Sequence, residues 1–169
     1  VQAASGMKIY RDTQREIEAL VGRINGRFTN LRWSPVFLFS NAIPFDRLIA
    51  YYKMADICLI APLRDGLNLV AKEYVAAKQG DLGVLVLSEF TGCAVELPQA
   101  VLANPYSARA MDAALDQALD MPEEEKRERM RAMHQNVLHY DVSRWAHHTL
   151  ERFGEIGEGE DVVVIAGRD

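Results

Sequence analysis

Between positions 63 and 77 the chain reads LRDGLNLVAKEYVAA. An Arg-Asp-Gly corner at Arg64, Asp65 and Gly66 runs into a helical pattern with Lys72 and Glu73 on its second turn. A glycine lets a ligand approach the backbone closely. The first N–H groups of a helix lack partners within the helix and sit at the positive end of its dipole, so the amides of residues 66–70 are expected to be unpaired and to suit a phosphate. Asp65 and Glu73 are eight positions apart (73 − 65). One carboxylate can stand at the corner and the other two turns into the helix, both facing one cleft. The same spacing also fits a cap at Asp65 and a solvated Glu73 paired with Lys72 or Lys78.

The elements that must position these groups alternate along the chain. The runs PVFLFS (35–40), DICLIAP (56–62), GVLVLSE (83–89) and AVLANP (100–105) are short, apolar and bounded by turn residues, as strands covered on both faces are. Helical stretches lie between them at 7–24, with Ile17, Leu20, Val21 and Ile24 on one face, and at 45–54 and 68–79. That order predicts an α/β fold with a parallel sheet, whose ligands collect where strands end and helices begin. The Arg64–Gly66 corner is such a place. From residue 107 the pattern becomes helical, with Ser107 as one cap, Pro122 and three Glu opening a second helix and Asp141 capping a third that contains Trp145, as far as Phe153. Residues 154–169 then read as a Gly/Glu-rich linker and a short strand, VVVIAG (162–167).

Composition narrows the functions available. With 19 Lys+Arg against 24 Asp+Glu the net charge is −5, so no broad basic field exists to hold nucleic acid, and an anionic ligand must be caught locally. No apolar run approaches the ~20 residues of a membrane span. Cys58 and Cys93 lack metal-type spacing and read as buried free thiols in a reducing compartment, so a cytoplasmic location is expected. His134, His139, His147 and His148 lack the spacing of a metal site, and no metal or cofactor is expected. Trp33, Tyr51, Tyr52 and Trp145 read as packing residues. EEEKRER (123–129) reads as a solvated helix face or a partner surface, and SEFTGCAVEL (88–97) either caps the helix after it or lines the cleft.

APLRDGLNLVAKEYVAA, followed by GVLVLSEFTGCAVEL and VLANPYS and preceded by GRINGRF (22–28) and MADICLIAPLRDG (54–66), resembles the nucleotide-sugar-binding half of the trehalose-6-phosphate synthase superfamily of retaining glucosyltransferases. The resemblance covers residues 1–153. It implies a Rossmann-like parallel sheet with helices on both faces, the second domain of a GT-B fold, followed by C-terminal helices. By the same resemblance Asp65 contacts the donor glucose as the catalytic carboxylate, Glu73 holds the ribose hydroxyls, and Arg64, Gly66, Leu67, Asn68, Leu69 and Val70 bind the donor's diphosphate and sugar. The strings around QAASGMKIY and IPFDRLIAYYKMADIC are more similar to the glucosylglycerol-phosphate branch, which joins glucose from ADP-glucose to glycerol 3-phosphate, than to the branch using UDP-glucose and glucose 6-phosphate. Ser5, Gly6 and Lys8 are the candidates for the acceptor phosphate.

The implied partners are therefore a nucleotide-sugar donor, a phosphorylated acceptor and an acceptor domain upstream of Val1, with oligomer formation left open. The family's diphosphate-clamping Arg and Lys also lie upstream, so the 169 residues alone are expected to be inactive. A nucleotide-sugar sensor built from this half-fold is the alternative from another functional class.

Overall fold

A computed structural model describes residues 8–80 and 82–157. The run VLVLS is buried at every position and forms strand β2 (Val84–Ser88), flanked by β1 (Ile57–Ile60) and β3 (Val101–Ala103). Both pairings are parallel, with Ile57 opposite Val84 and Val86 opposite Val101. Helix α3 (Leu69–Ala77) links β1 to β2, and α4 (Ala108–Asp120) follows β3. Alternation along the strands sends Val84, Val86, Val101 and Ala103 to one face, where they pack with Ala114 and Ala118 of α4 and with Met121. Leu85 and Leu87 are fully buried on the other face, where α3 and α5 (Glu123–His139) pack against β2. The chain is thus an α/β fold with a parallel sheet covered on both faces, ending in the C-terminal helices α5 and α6 (Val142–Gly157).

The chain forms two compact units, Val1–Leu48 and Ile49–Asp169. The sheet belongs to the second. In the first, α1 (Lys8–Phe28) carries the expected apolar stripe, but none of its residues is buried. The expected strand at 35–40 does not form, and Phe37 and Phe39 are exposed. A strand needs a neighbour, and here the Asn25 side chain takes that place. Its Nδ2 donates to Val36 O (2.9 Å) and its Oδ1 accepts from Val36 N (3.1 Å), so the extended segment is tied to α1 by one amide instead of a ladder.

Helix ends follow local chemistry. Ser107 Oγ accepts from Ala110 N (3.2 Å), Asp141 Oδ1 accepts from Arg144 N (2.8 Å), and Glu123, Glu124 and Glu125 fill the first turn of α5 behind Pro122. Helix α6 continues past Phe153 to Gly157, and the expected strand at 162–167 lies outside the described residues. Cys58 and Cys93 are free thiols, and burial pushes Cys58 up to about 11. Among the aromatic residues expected to pack, Tyr52 does so, edge-on to Tyr74, on the C-terminal half of α2 (Phe45–Met54). Trp33 and Trp145 are exposed, on surfaces that no described element covers. Among the described residues no helix is long and apolar enough to cross a membrane.

Candidate functional site

Three loops at the C-terminal ends of β1, β2 and β3 meet in the second unit. The corner after β1 reaches the loop after β2 through a parallel bridge between Asp65 and Thr91. Asp65 N donates to Phe90 O (3.3 Å), and Gly92 N donates to Asp65 O (2.9 Å). The loop after β3 closes the group. There Tyr106 Oη donates to Leu63 O (3.3 Å), and its ring meets Phe90 edge-on at 5.5 Å.

The loop after β2 keeps its shape through its own buried hydroxyls. Thr91 Oγ1 donates to Ser88 O (2.8 Å), and Ser88 Oγ accepts from Phe90 N (3.2 Å). Thr91 stands before a short 3-10 turn, Gly92–Ala94, without capping it by its side chain. Of the two expectations for SEFTGCAVEL, helix capping by these hydroxyls fails, and packing against the Arg64–Gly66 corner is what the structure has. Sequence reasoning missed the reason for Gly92. A β-carbon there would collide with the carbonyl oxygen of Gly66, so the two loops touch only because position 92 has no side chain. At Gly66 an added β-carbon would meet nothing within 4 Å.

The Asp65 carboxylate organises the corner. Its Oδ1 accepts from Leu67 N (3.2 Å) and Asn68 N (3.1 Å), and its Oδ2 accepts from Asn68 Nδ2 (2.9 Å). These bonds, the one from the Asn68 side chain foremost, hold its carboxyl below the ordinary carboxylate range. Asn68 is left-handed, with φ 49° and ψ 75°, and no other non-glycine among the described residues has a positive φ. Its Oδ1 caps α3 by accepting from Ala71 N (3.0 Å). The cap of α3 is therefore Asn68, and Asp65 caps the loop. The expectation of unpaired amides at 66–70 needs correction accordingly. Leu67 and Asn68 donate to Asp65, whereas the N–H groups of Gly66, Leu69 and Val70 find no acceptor among the described residues. The side chains of Leu67, Leu69 and Val70 are exposed, as is Arg64, which forms no ion pair among the described residues.

Glu73 is half-buried, and its Oε2 accepts from Tyr52 Oη (3.2 Å). Burial, aided by this carboxylate, pushes the Tyr52 phenol up to about 12. Neither lysine of the alternative reading pairs with Glu73. Lys72 Nζ is 2.6 Å from Glu96 Oε2, and Lys78 Nζ donates to Lys53 O (2.7 Å). Tyr52 as the donor to Glu73 was not legible, because 21 positions separate the two. Ser5 and Gly6 lie outside the described residues, and Lys8 opens α1 in the first unit, exposed. Among the described residues no group of three His, Cys, Asp or Glu side chains could hold a metal ion.

A profile of glycosyltransferase family 20 matches residues 1–155. The chain belongs to glycosyltransferase family 20. Within this family it is similar to the glucosylglycerol-phosphate synthase of Synechocystis sp., at 56% identity over 160 residues covering 94% of this chain and 32% of that protein. It is also similar to the trehalose-6-phosphate synthase of Mycobacterium sp. strain KMS, at 47% identity over 150 residues covering 89% and 31%. Among solved structures, the α,α-trehalose-phosphate synthase (UDP-forming) of Burkholderia xenovorans in complex with glucose-6-phosphate superposes with a TM-score of 0.83 at 40% identity, covering 89% of this chain and 33% of that one. This family 20 chain thus spans about a third of the length of the proteins it matches. Over the part it covers, its fold is that of the trehalose-phosphate synthases, whose architecture is GT-B.

Proposed function

We propose that this chain is the donor-binding part of a retaining glucosyltransferase that moves glucose from ADP-glucose to glycerol 3-phosphate. The observation that carries the acceptor assignment is the identity gap, 56% to a glucosylglycerol-phosphate synthase against 47% to a trehalose-6-phosphate synthase over nearly the same span. Ser5 and Gly6 with no arginine beside them support it, since a hexose phosphate calls for a fork-shaped donor to orient it and a short acceptor does not.

In this reading the diphosphate lies against the amides of Gly66, Leu69 and Val70, at the positive end of α3. Arg64 faces the departing charge, Glu73 accepts from the ribose hydroxyls through the carboxylate that also takes Tyr52, and Asp65 meets the glucose. The glycosidic bond to the diphosphate breaks as the acceptor hydroxyl attacks from the same face. The leaving phosphate oxygen takes the acceptor's proton, so the anomeric configuration is kept. Fixed N–H dipoles stabilise the charge growing on the diphosphate without reorganising. The acceptor phosphate rests at Ser5, Gly6 and Lys8, and a separate acceptor domain completes the cleft. By itself the chain turns over nothing.

The test gives the complete enzyme ADP-glucose with equal glycerol 3-phosphate and glucose 6-phosphate and separates the products by mass. Glucosylglycerol phosphate should form about tenfold faster or more, worth about 1.4 kcal/mol in transition-state binding. A majority of trehalose phosphate returns the chain to the other branch, and UDP-glucose in place of ADP-glucose tests the nucleobase in the same assay.

A further inference from the structure

We propose that the cavity between the C-terminal end of α3 and the side of α5 is a second anion site, which takes a phosphate group free or on a small molecule. Its volume is about 210 Å³, and its walls include Lys78 and Gly80 after α3 and Arg127, Met130, Arg131 and His134 of α5. Arg127, Arg131 and His134 follow one another at intervals of four and three, so they share one helix face. Met130 gives that face a buried apolar floor, and Gly80, with φ 80°, lines the cavity beyond the end of α3.

Two features make this more than a solvated helix face. The first is charge. The first turns of α5 offer acids within reach of its arginines, yet of Arg127, Arg129 and Arg131 only Arg129 forms an ion pair with a described residue, through Nη2 to Glu125 Oε1 (2.7 Å), with Nη1 on Gln99 O (3.1 Å). Arg127 and Arg131 form no ion pair among the described residues, and no carboxylate is in the described lining. In a chain with 24 acidic against 19 basic side chains, two such arginines lining one concavity run against composition. The buried Lys78 ammonium is turned to another task, since its Nζ donates to Lys53 O (2.7 Å) in the last turn of α2. The second is size. The cavity falls below the roughly 300–1,000 Å³ of drug-sized ligand sites, and guanidinium forks match an oxyanion's geometry. That volume suits a phosphate with a short organic stem better than a whole nucleotide. The whole of α3, about 13 Å of helix, separates this cavity from the Asp65 corner, so the site is distinct from the donor site.

The test titrates inorganic phosphate into the purified protein at constant ionic strength and follows backbone amide resonances. Shifts should centre on Gly80, Arg127 and Arg131, and the Arg127→Gln/Arg131→Gln protein should bind about tenfold more weakly or worse. Lys126→Gln removes a neighbouring charge outside the lining and should stay within about twofold. Repetition with glycerol 3-phosphate and glucose 6-phosphate distinguishes a free phosphate from one on a stem. The proposal is overturned by shifts centred on residues 66–70, by no saturation below about 10 mM, by equal affinity in the double variant, or by a Lys126→Gln effect as large as the double variant's.

Discussion

Replacing Gly92 by Ala should destabilise the protein and disturb the donor corner together. The new β-carbon would press on the carbonyl group of Gly66, and backbone has no rotamer by which to move aside. Either the clash stays, at the roughly 1–3 kcal/mol of an overpacked contact, or the loops part. Parting sacrifices the bonds from Gly92 N to Asp65 O and from Asp65 N to Phe90 O, each contributing about 0.5–1.5 kcal/mol. The two costs replace one another instead of adding, so the net loss is about 1–3 kcal/mol. In a protein of this size each kcal/mol lowers the melting temperature by about 2–4 °C, which makes the expected fall about 2–12 °C by calorimetry. Nucleotide binding should weaken in the same variant, because the amides of the corner move with Asp65. Gly66→Ala is the counterpart. Its β-carbon meets nothing within 4 Å, so stability should hold within about 0.5 kcal/mol, while on the proposed reading nucleotide-sugar binding falls, because the added methyl enters the space proposed for the donor. A Gly92→Ala protein that melts with the wild type, or a Gly66→Ala protein that melts lower than Gly92→Ala, refutes the reasoning.

Glu73→Gln in the complete enzyme should weaken nucleotide binding by about ten- to a hundredfold in calorimetry, since hydrogen bonds to a charged group contribute roughly 1.5–3 kcal/mol each; an unchanged affinity assigns Glu73 to Tyr52 alone. Asp65→Asn replaces one acceptor oxygen by an NH2 donor and loosens the corner, so calorimetry should show nucleotide binding somewhat weakened and a product assay should show transfer reduced further. The Asp65 carboxyl is held down by its bonds from Asn68 and Leu67, so its hold on the corner is present above the unfolded value of 3.8 and is lost as pH falls through the lower folded value; amide exchange at Asn68 should rise in acid, and Asp65→Asn should flatten that response. Tyr52 is shifted the other way, so the stability it contributes is complete below pH 10 and lost as pH rises toward about 12, a decline that Tyr52→Phe should remove from an alkaline denaturation series.

The sequence made legible what neighbours within a few positions decide. The parallel strands at 57–60, 84–88 and 101–103, the helix after the Arg-Asp-Gly corner, and the caps at Ser107 and Asp141 all follow from local composition. Illegible were the pairings that only topology brings together. Asn25 replaces a strand for Val36 eleven positions away, Tyr52 reaches Glu73 across 21, and Lys72 finds Glu96 across 24 while Lys78 finds the carbonyl of Lys53 across 25, so neither lysine pairs with Glu73. One capture is local. An Asp followed three positions later by Asn at a helix start is the pattern by which such side chains capture nearby amides, and it anticipates Asp65 holding the amide and side chain of Asn68. That capture has a mechanistic consequence. Asp65 has both carboxylate oxygens engaged within its own loop, and the left-handed Asn68 depends on them. A sugar hydroxyl meeting Asp65 must therefore share an acceptor already in use. The bonds that fix the corner keep this carboxylate ionised and in one orientation, so the geometry that donates to it is set before any ligand arrives.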